Sequence, residues 1–168
     1  MKGIQDMIFI GDIVLQTKIA RKAAERLEAT HSDFDEVEAW CSIQSILVAA
    51  ANVSKILWPR SKYKIRGERL RQMLKVEKEN PLFDRKFRNN FEHYDERIEE
   101  WFEKHSSGVY VDLAMNPSLP GRSFITNHHR GYNSFNNTLT FRGELLDLNE
   151  ILKALEEIFD NCKPYALT

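Results

Sequence analysis

The sequence predicts a mainly α, up-down helical bundle with a small antiparallel β element before a C-terminal helix. Three observations carry this. Long stretches without proline place apolar residues at helical spacing through the first two-thirds of the chain. After Gly108 the pattern changes to short runs rich in β-branched and aromatic residues, separated by Gly, Pro and Asn. From Asp147 the helical spacing returns. At 168 residues the chain fits one domain with one sizeable core. The expected layout is a single domain over 1–168, with a helical bundle over 5–104, a small β insertion over 109–143 and a C-terminal helix over 147–161.

The elements follow in order. Between Gln5 and Ala29, Ile8, Leu15, Ile19, Ala23 and Leu27 follow helical spacing. Thr30-His31-Ser32 reads as a break, and Ser32 with Asp35 resembles a capping box with Asp in place of Glu. The next helix is the best buried candidate, with Phe34, Val37, Trp40, Cys41, Ile46, Leu47, Ala50, Val53, Ile56 and Leu57 along it. Trp58-Pro59 stops it, because the residue before a proline is pushed out of the helical region. A shorter helix is expected from Gly67 to Glu77 with Leu70, Leu74 and Val76; Gly67 marks its start and Asn80-Pro81 breaks it. A long helix spans Phe83 to Lys104 and ends at Ser106-Ser107-Gly108. Val109-Tyr110-Val111, Ser123-Phe124-Ile125-Thr126 and Thr138-Leu139-Thr140-Phe141 are the expected strands. In the last helix Leu148, Ile151, Leu152, Leu155, Ile158 and Phe159 stand at core spacing.

The helix from Phe83 to Lys104 carries the one sharp chemical signal, Arg88-Asn89-Asn90-Phe91-Glu92-His93. Phe87, Phe91, Tyr94, Ile98, Trp101 and Phe102 form a stripe at the spacing that buries a helix against a core. At about 100° per residue, Arg88 sits on the flank of that stripe and Asn89 and His93 lie almost opposite it. Asn89, His93 and Arg97 follow at i+4 steps, within reach of one another. His93 is thereby expected to face solvent or a second interface. An ordinary surface histidine and one that moves a proton near neutral pH are both open from this residue alone. Arg88 offers a planar donor fork suited to a phosphate.

Arg88 and His93, separated by four residues, resemble the Arg-and-His motif of HEPN domains, with Asn89 as the polar residue that often follows the Arg. The resemblance extends over roughly Gln5 to Lys104, to the long helix ending at Leu57-Trp58-Pro59 and the basic helix before the motif. It implies a HEPN-like helical bundle and a metal-independent endoribonuclease acting as a homodimer through the motif helix, in a toxin–antitoxin or phage-defence role. It implies no cofactor. His93 would then be the general acid or base, Arg88 would stabilise charge on the scissile phosphate, and Asn89 would orient the histidine or hold the phosphate. An antitoxin or other partner protein is implied by the toxin branch of the family. That branch places Tyr two residues after the His; here the position is Asp95, so its modification chemistry is not expected. The alternative reading is a HEPN-like domain that binds nucleic acid or protein and cuts nothing.

From Lys55 to Arg88 the chain is strongly basic, and Lys62, Lys64, Arg66, Arg69, Arg85 and Lys86 are candidate RNA-binding residues, with Tyr63 and Trp58 available for stacking. A solvated charged face is the competing reading. Glu92, Asp95, Glu96, Glu99 and Glu100 make the far end of the motif helix acidic. His128-His129, in a Gly/Asn-rich stretch, reads as a surface loop and a poor metal pair.

Composition sets the remaining bounds. At 42% hydrophobic, 29% charged and net charge −1, the chain reads as folded, with no global excess of either sign. Cys41 and Cys162 lack metal-ligand spacing and read as reduced thiols, Cys41 on an apolar helix face. Asp6 and Asp12 interrupt the N-terminal apolar run and no small-residue cleavage site follows, so a signal peptide is not expected. Nothing reads as a membrane span, and the cytoplasm is the default location. No Gly-rich phosphate cradle, Ser/His/Asp order or internal repeat stands out.

Overall fold

The computed structural model describes residues 2–33, 35–105, 108–120 and 128–165. Among the described residues the structure is mainly helical, with 67% helix, six α-helices and a small four-stranded sheet before the last helix. The helices are α1 (Lys2–Asp33), α2 (Glu36–Leu57), α3 (Lys64–Met73), α4 (Lys86–Glu92), α5 (Tyr94–Lys104) and α6 (Leu148–Cys162). The strands are β1 (Ala114–Met115), β2 (Arg130–Asn133), β3 (Thr138–Phe141) and β4 (Glu144–Asp147). Contacts divide the chain into two compact units, Met1–Arg85 with Glu150–Thr168, and Lys86–Asn149.

In the first unit α1 and α2 form a long antiparallel hairpin, tied by Gln16 to Asn52 and by Arg26 to Glu38 and Cys41. The face of α1 that packs is the expected one only at Ala23 and Leu27. Asp6, Ile10, Ile13, Thr17, Ala20, Ala23, Leu27 and Thr30 are buried at steps of three and four, whereas Ile8, Leu15 and Ile19 are exposed. Two apolar faces on one helix defeat a reading by spacing alone. On α2 the core residues Ala39, Trp40, Ile43, Ile46, Leu47, Val53 and Leu57 are buried, while Val37 and Cys41 are exposed; Phe34 lies outside the described residues. Asp35, not Ser32, caps α2: its carboxylate accepts from the Glu38 amide at 3.0 Å, while Ser32 belongs to the last turn of α1. By length and composition α2 could cross a membrane, but 67% of its most apolar window is buried in the fold, as in a core helix.

Trp58 ends α2 as expected, and its C-terminal carbonyls are then satisfied by arginines. Arg66 donates to Lys55 O and Ile56 O at 3.4 and 3.5 Å, and Arg71 donates to Leu57 O. Orphan carbonyls at a helix C-terminus favour such cationic donors. Gly67 lies within α3 rather than at its start, and it permits this approach: a Cβ there would stand 2.6 Å from Leu57 O and 2.4 Å from Pro59 Cδ. At the other end of α3, Val76 donates to Arg71 O and Lys75 takes φ 52°, a Schellman closure made without glycine. Asn161 of α6 donates to Leu74 O at 2.9 Å, and α6 buries Ile151, Ala154, Leu155, Ile158 and Cys162.

In the second unit the sheet order is β1-β2-β3-β4. The β2, β3 and β4 pairings are antiparallel and the two-residue β1 runs parallel to β2, so the sheet is mixed rather than wholly antiparallel. Of the expected strands, 138–141 forms, Val109-Tyr110-Val111 contributes only a single bridge from Val111 to His128, and 123–126 lies outside the described residues, as do Ser106 and Ser107. Arg142 and Gly143 join β3 to β4 with φ 47° and 83°, the two positive values that a two-residue type I′ hairpin requires. Arg142 then reaches α5, donating to Glu100 Oε2 at 3.1 Å and to Arg97 O.

Gly67→Ala is expected to lower stability by about 2–3 kcal/mol, because the added methyl meets backbone and a proline ring rather than a flexible side chain. Urea denaturation of the two proteins at one pH measures it; equal midpoints would remove this account of α3.

Candidate functional site

Sequence spacing places Arg88, Asn89 and His93 on one straight helix, but the helix breaks at His93. α4 ends at Glu92, α5 begins at Tyr94, and His93 between them has φ −103° and ψ 38°. Its amide still donates to Asn89 O at 3.0 Å and its carbonyl accepts from Arg97 at 3.2 Å, so the chain bends without unwinding. A fixed advance of about 100° per residue does not hold across such a bend. The consequence shows in the expected core stripe. Trp101 is buried, Phe87, Phe91 and Ile98 are half-buried, and Tyr94 and Phe102 are exposed. Asn90 is buried instead. Trp101 anchors α5 by ring contacts to Phe102, His105 and Tyr110, with centroids 5.0, 4.8 and 5.1 Å away.

The structure brings Arg88 and Asn89 together. Arg88 Nη1 donates to Asn89 Oδ1 at 3.0 Å, and Nη2 donates to Glu92 Oε1. The Arg88 side chain is 15% exposed, and its Nε is buried without a partner. His93 is not drawn into this group. Its side chain is 54% exposed and its Nδ1 stands 3.7 Å from Glu96 Oε1. The expected run of contacts from Asn89 through His93 to Arg97 is not made, since Arg97 pairs with Glu100. The i+3 and i+4 carboxylates take the cations here, as helical spacing allows.

The candidate RNA-binding residues divide. Arg66 caps α2 and stacks over Phe9 with 4.4 Å to the ring centroid. Arg69 makes a two-pronged bond to buried Asp6 at 2.8 and 2.6 Å. Both are occupied inside the first unit. Lys62 and Lys64 are exposed, Lys62 over the Tyr63 ring and Lys64 3.7 Å from Glu68. Arg85 is half-buried. Lys86 pairs with Glu144 at 2.7 Å. Lysines on a surface keep most of their hydration and can exchange one anion for another; the bidentate arginines cannot do so without leaving buried acceptors empty.

A polar cluster next to the motif is not legible in the sequence. Asp112 accepts from Arg130 Nε, Arg130 Nη2 and the Arg130 amide, and also from the Leu113 amide and the Tyr110 hydroxyl. The Arg130 guanidinium lies over the rings of Phe91 and Tyr94, 5.6 and 5.2 Å from their centroids. These two residues bracket Glu92-His93, so a third cation stands against the bend. His129 is not on a surface loop: it is fully buried between Tyr110 and Phe141, its amide donates to Val111 O, and neither ring nitrogen has a partner. His128 bonds Thr140 Oγ1 on the other side of the strand.

Burial sets the acid–base character of this cluster. It raises the Asp112 carboxyl, but the hydrogen bonds and charge of Arg130 outweigh it and hold the group below its ordinary value. Burial pushes the His129 imidazole down to about 4, against a smaller opposing pull from Asp112. Burial, then the charge of Asp112, pushes Tyr110 up to about 12. Among the described residues no group of three His, Cys, Asp or Glu side chains is placed to hold a metal ion. Compared with known protein families, characterised proteins and solved structures, the chain matches none.

His129 makes the second unit acid-sensitive within a definite window. The unfolded chain takes up a proton near the ordinary histidine value of about 6.5 and the folded chain only near 4, so stability falls as pH drops through that interval. Asp112, whose folded value is lowered, adds its own loss as pH falls into and through the ordinary carboxylate range. Between about pH 7 and about pH 4.5 the wild type is expected to lose up to about 3 kcal/mol, and His129→Phe to flatten that slope. Denaturant titration across the window checks it; a slope retained in the variant would assign the loss elsewhere.

Proposed function

We propose that the chain is a metal-independent endoribonuclease of the HEPN type, acting as a homodimer in a toxin or phage-defence role, with Arg88, Asn89 and His93 as its working residues. The observation that carries this reading is the placement of His93, exposed at a helix bend five residues from Arg88, whose guanidinium is already oriented by Asn89 and Glu92. In such a site the ribose 2′-hydroxyl attacks the adjacent phosphorus while the 5′-oxygen of the next nucleotide leaves. His93 takes the hydroxyl proton or supplies one to the leaving oxygen, its exposure leaving the ring free to reach either. Arg88 exchanges its bond to Glu92 for a non-bridging phosphate oxygen, and Asn89 keeps the guanidinium plane fixed. Arg130, held over Phe91 and Tyr94, adds positive charge beside the bend. The nucleophile is the RNA's own hydroxyl, so the reaction written here draws on no metal.

A second reading, a HEPN-like domain that binds nucleic acid or a partner protein without cutting, draws on a different observation. Arg88 is mostly buried and already bonded at both terminal nitrogens, as a residue with a structural task would be. The acidic flank of Asp95, Glu96 and Glu99 also suits a basic protein partner such as an antitoxin.

The nuclease reading expects purified protein to cut single-stranded RNA in the presence of EDTA, leaving 2′,3′-cyclic phosphate ends. Arg88→Ala and His93→Ala are each expected to lower the rate at least about 100-fold with helix content unchanged. RNA left uncut by the wild type but retarded in a gel would favour the binding reading.

A further inference from the structure

The arginines of this chain offer an internal comparison. Arg21, Arg69 and Arg130 each receive a carboxylate along one edge of the guanidinium, one oxygen on Nε and the other on Nη2, at 2.6–3.0 Å. Arg88 turns the same edge to Glu92 but receives a single oxygen. Its Nη2 donates to Glu92 Oε1, while its Nε is buried without a partner. On the other edge Nη1 donates to Asn89 Oδ1 at 3.0 Å. One donor of a two-oxygen fork therefore goes unmet, which is costly for a buried N–H. Arg66 and Arg142 also leave Nε unmatched, but they give Nη2 to main-chain carbonyls, which cannot withdraw.

Glu92 can withdraw. Its side chain is 45% exposed, against 7% for Asp6 and 18% for Asp112, so its carboxylate can turn into water. A half-exposed ion pair of this kind is weak. Two features weaken it further. Arg precedes Glu at i,i+4, the less favourable order, and Glu92 is the last residue of α4, where the helix dipole disfavours an anion. When Glu92 leaves, Asn89 still holds the guanidinium by Nη1. A phosphodiester presents two non-bridging oxygens, the number that Nε and Nη2 together can meet. The place that Glu92 gives up lies at the surface, next in the chain to exposed His93.

We propose that Glu92 is a built-in competitor for the phosphate: it fills half of the Arg88 fork and must swing out before a phosphodiester takes both Nε and Nη2. This rests on the reading of Arg88 as a phosphate-binding residue. The test is the affinity of the full chain for a short single-stranded RNA made uncleavable by 2′-O-methyl groups, measured by fluorescence anisotropy at low ionic strength. Glu92→Gln keeps the shape and removes the charge, and is expected to bind at least about five-fold tighter than wild type with helix content unchanged. In an Arg88→Ala background the same substitution is expected to change affinity less than about two-fold. Glu99→Gln removes one negative charge from the exposed side of α5, away from the fork, and is likewise expected to change it less than about two-fold. On cleavable RNA, Glu92→Gln is expected to lower KM with kcat little changed. An oligonucleotide that Glu92→Gln binds no tighter than wild type overturns the proposal. So does a gain that persists without Arg88 or is matched by Glu99→Gln, for then general repulsion is the cause. Cleavage by wild type with no gain in Glu92→Gln would overturn the competitor and leave the nuclease reading standing. Tighter binding that depends on Arg88, with no cleavage by either protein, would uphold the competitor and overturn the nuclease.

Discussion

The last turn of α2 presents carbonyl groups that no helical amide can reach, and the segment just beyond Pro59 is arranged to meet them. Arg66 and Arg71 supply the donors, α3 is placed to carry both, and Gly67 gives the space for that approach. Burying those carbonyls without partners costs about 1–3 kcal/mol each, which is large against the net stability of a domain. Arg69 is spent in the same way on Asp6, a carboxylate buried in the face of α1 that packs. The basic segment therefore holds the first unit together before it does anything else. Of its charges the lysines Lys62 and Lys64 remain on the surface, exposed as phosphate binding needs.

The second unit shows the same logic with different geometry. A type I′ turn puts Arg142 in a conformation that side chains rarely adopt, and the bonds from Arg142 to Glu100 and to the carbonyl of Arg97 hold it there. Asp112 gathers five donors and fixes Arg130 over Phe91 and Tyr94, which clamps the chain on either side of His93. The bend at His93 is thus supported from the sheet. A straight helix would carry His93 through in the phase set by Phe87 and Phe91; the bend frees it from that phase.

How much of this the sequence discloses depends on which force sets each feature. A helix end imposed by covalent geometry is legible at Trp58-Pro59, which stops α2. By contrast α3 ends at Met73 rather than near Glu77, closed by Lys75 and Val76, and Asn80-Pro81 opens a short 3-10 turn instead of breaking the helix. Features set by choice among equivalent faces are not legible. Ile8, Leu15 and Ile19 are as apolar and as well spaced as Ile10 and Ile13, and only the partner helix decides which set is buried. β2 reads Arg-Gly-Tyr-Asn and resembles a loop, because its stability comes from Asp112 and from pairing with β3 rather than from its own side chains. His129 reads as a surface histidine because polarity predicts exposure, yet two neighbouring aromatic rings give it an apolar pocket. At the candidate site the residue types were legible, but the bend at His93 and the presence of Arg130 were not, since both depend on contacts more than thirty residues away in the chain.

On the proposed function, recognition of RNA falls to the Arg88–His93 turn and not to the basic segment as a whole. The most direct measurement is a titration of nitrogen-15-labelled protein with a short single-stranded RNA made uncleavable by 2′-O-methyl groups. Shifts centred on the side chains of Arg88, Asn89 and His93, with Arg66 and Arg69 unmoved, are the expected result. Shifts confined to α3 and its flanking lysines, or none at all, would contradict it.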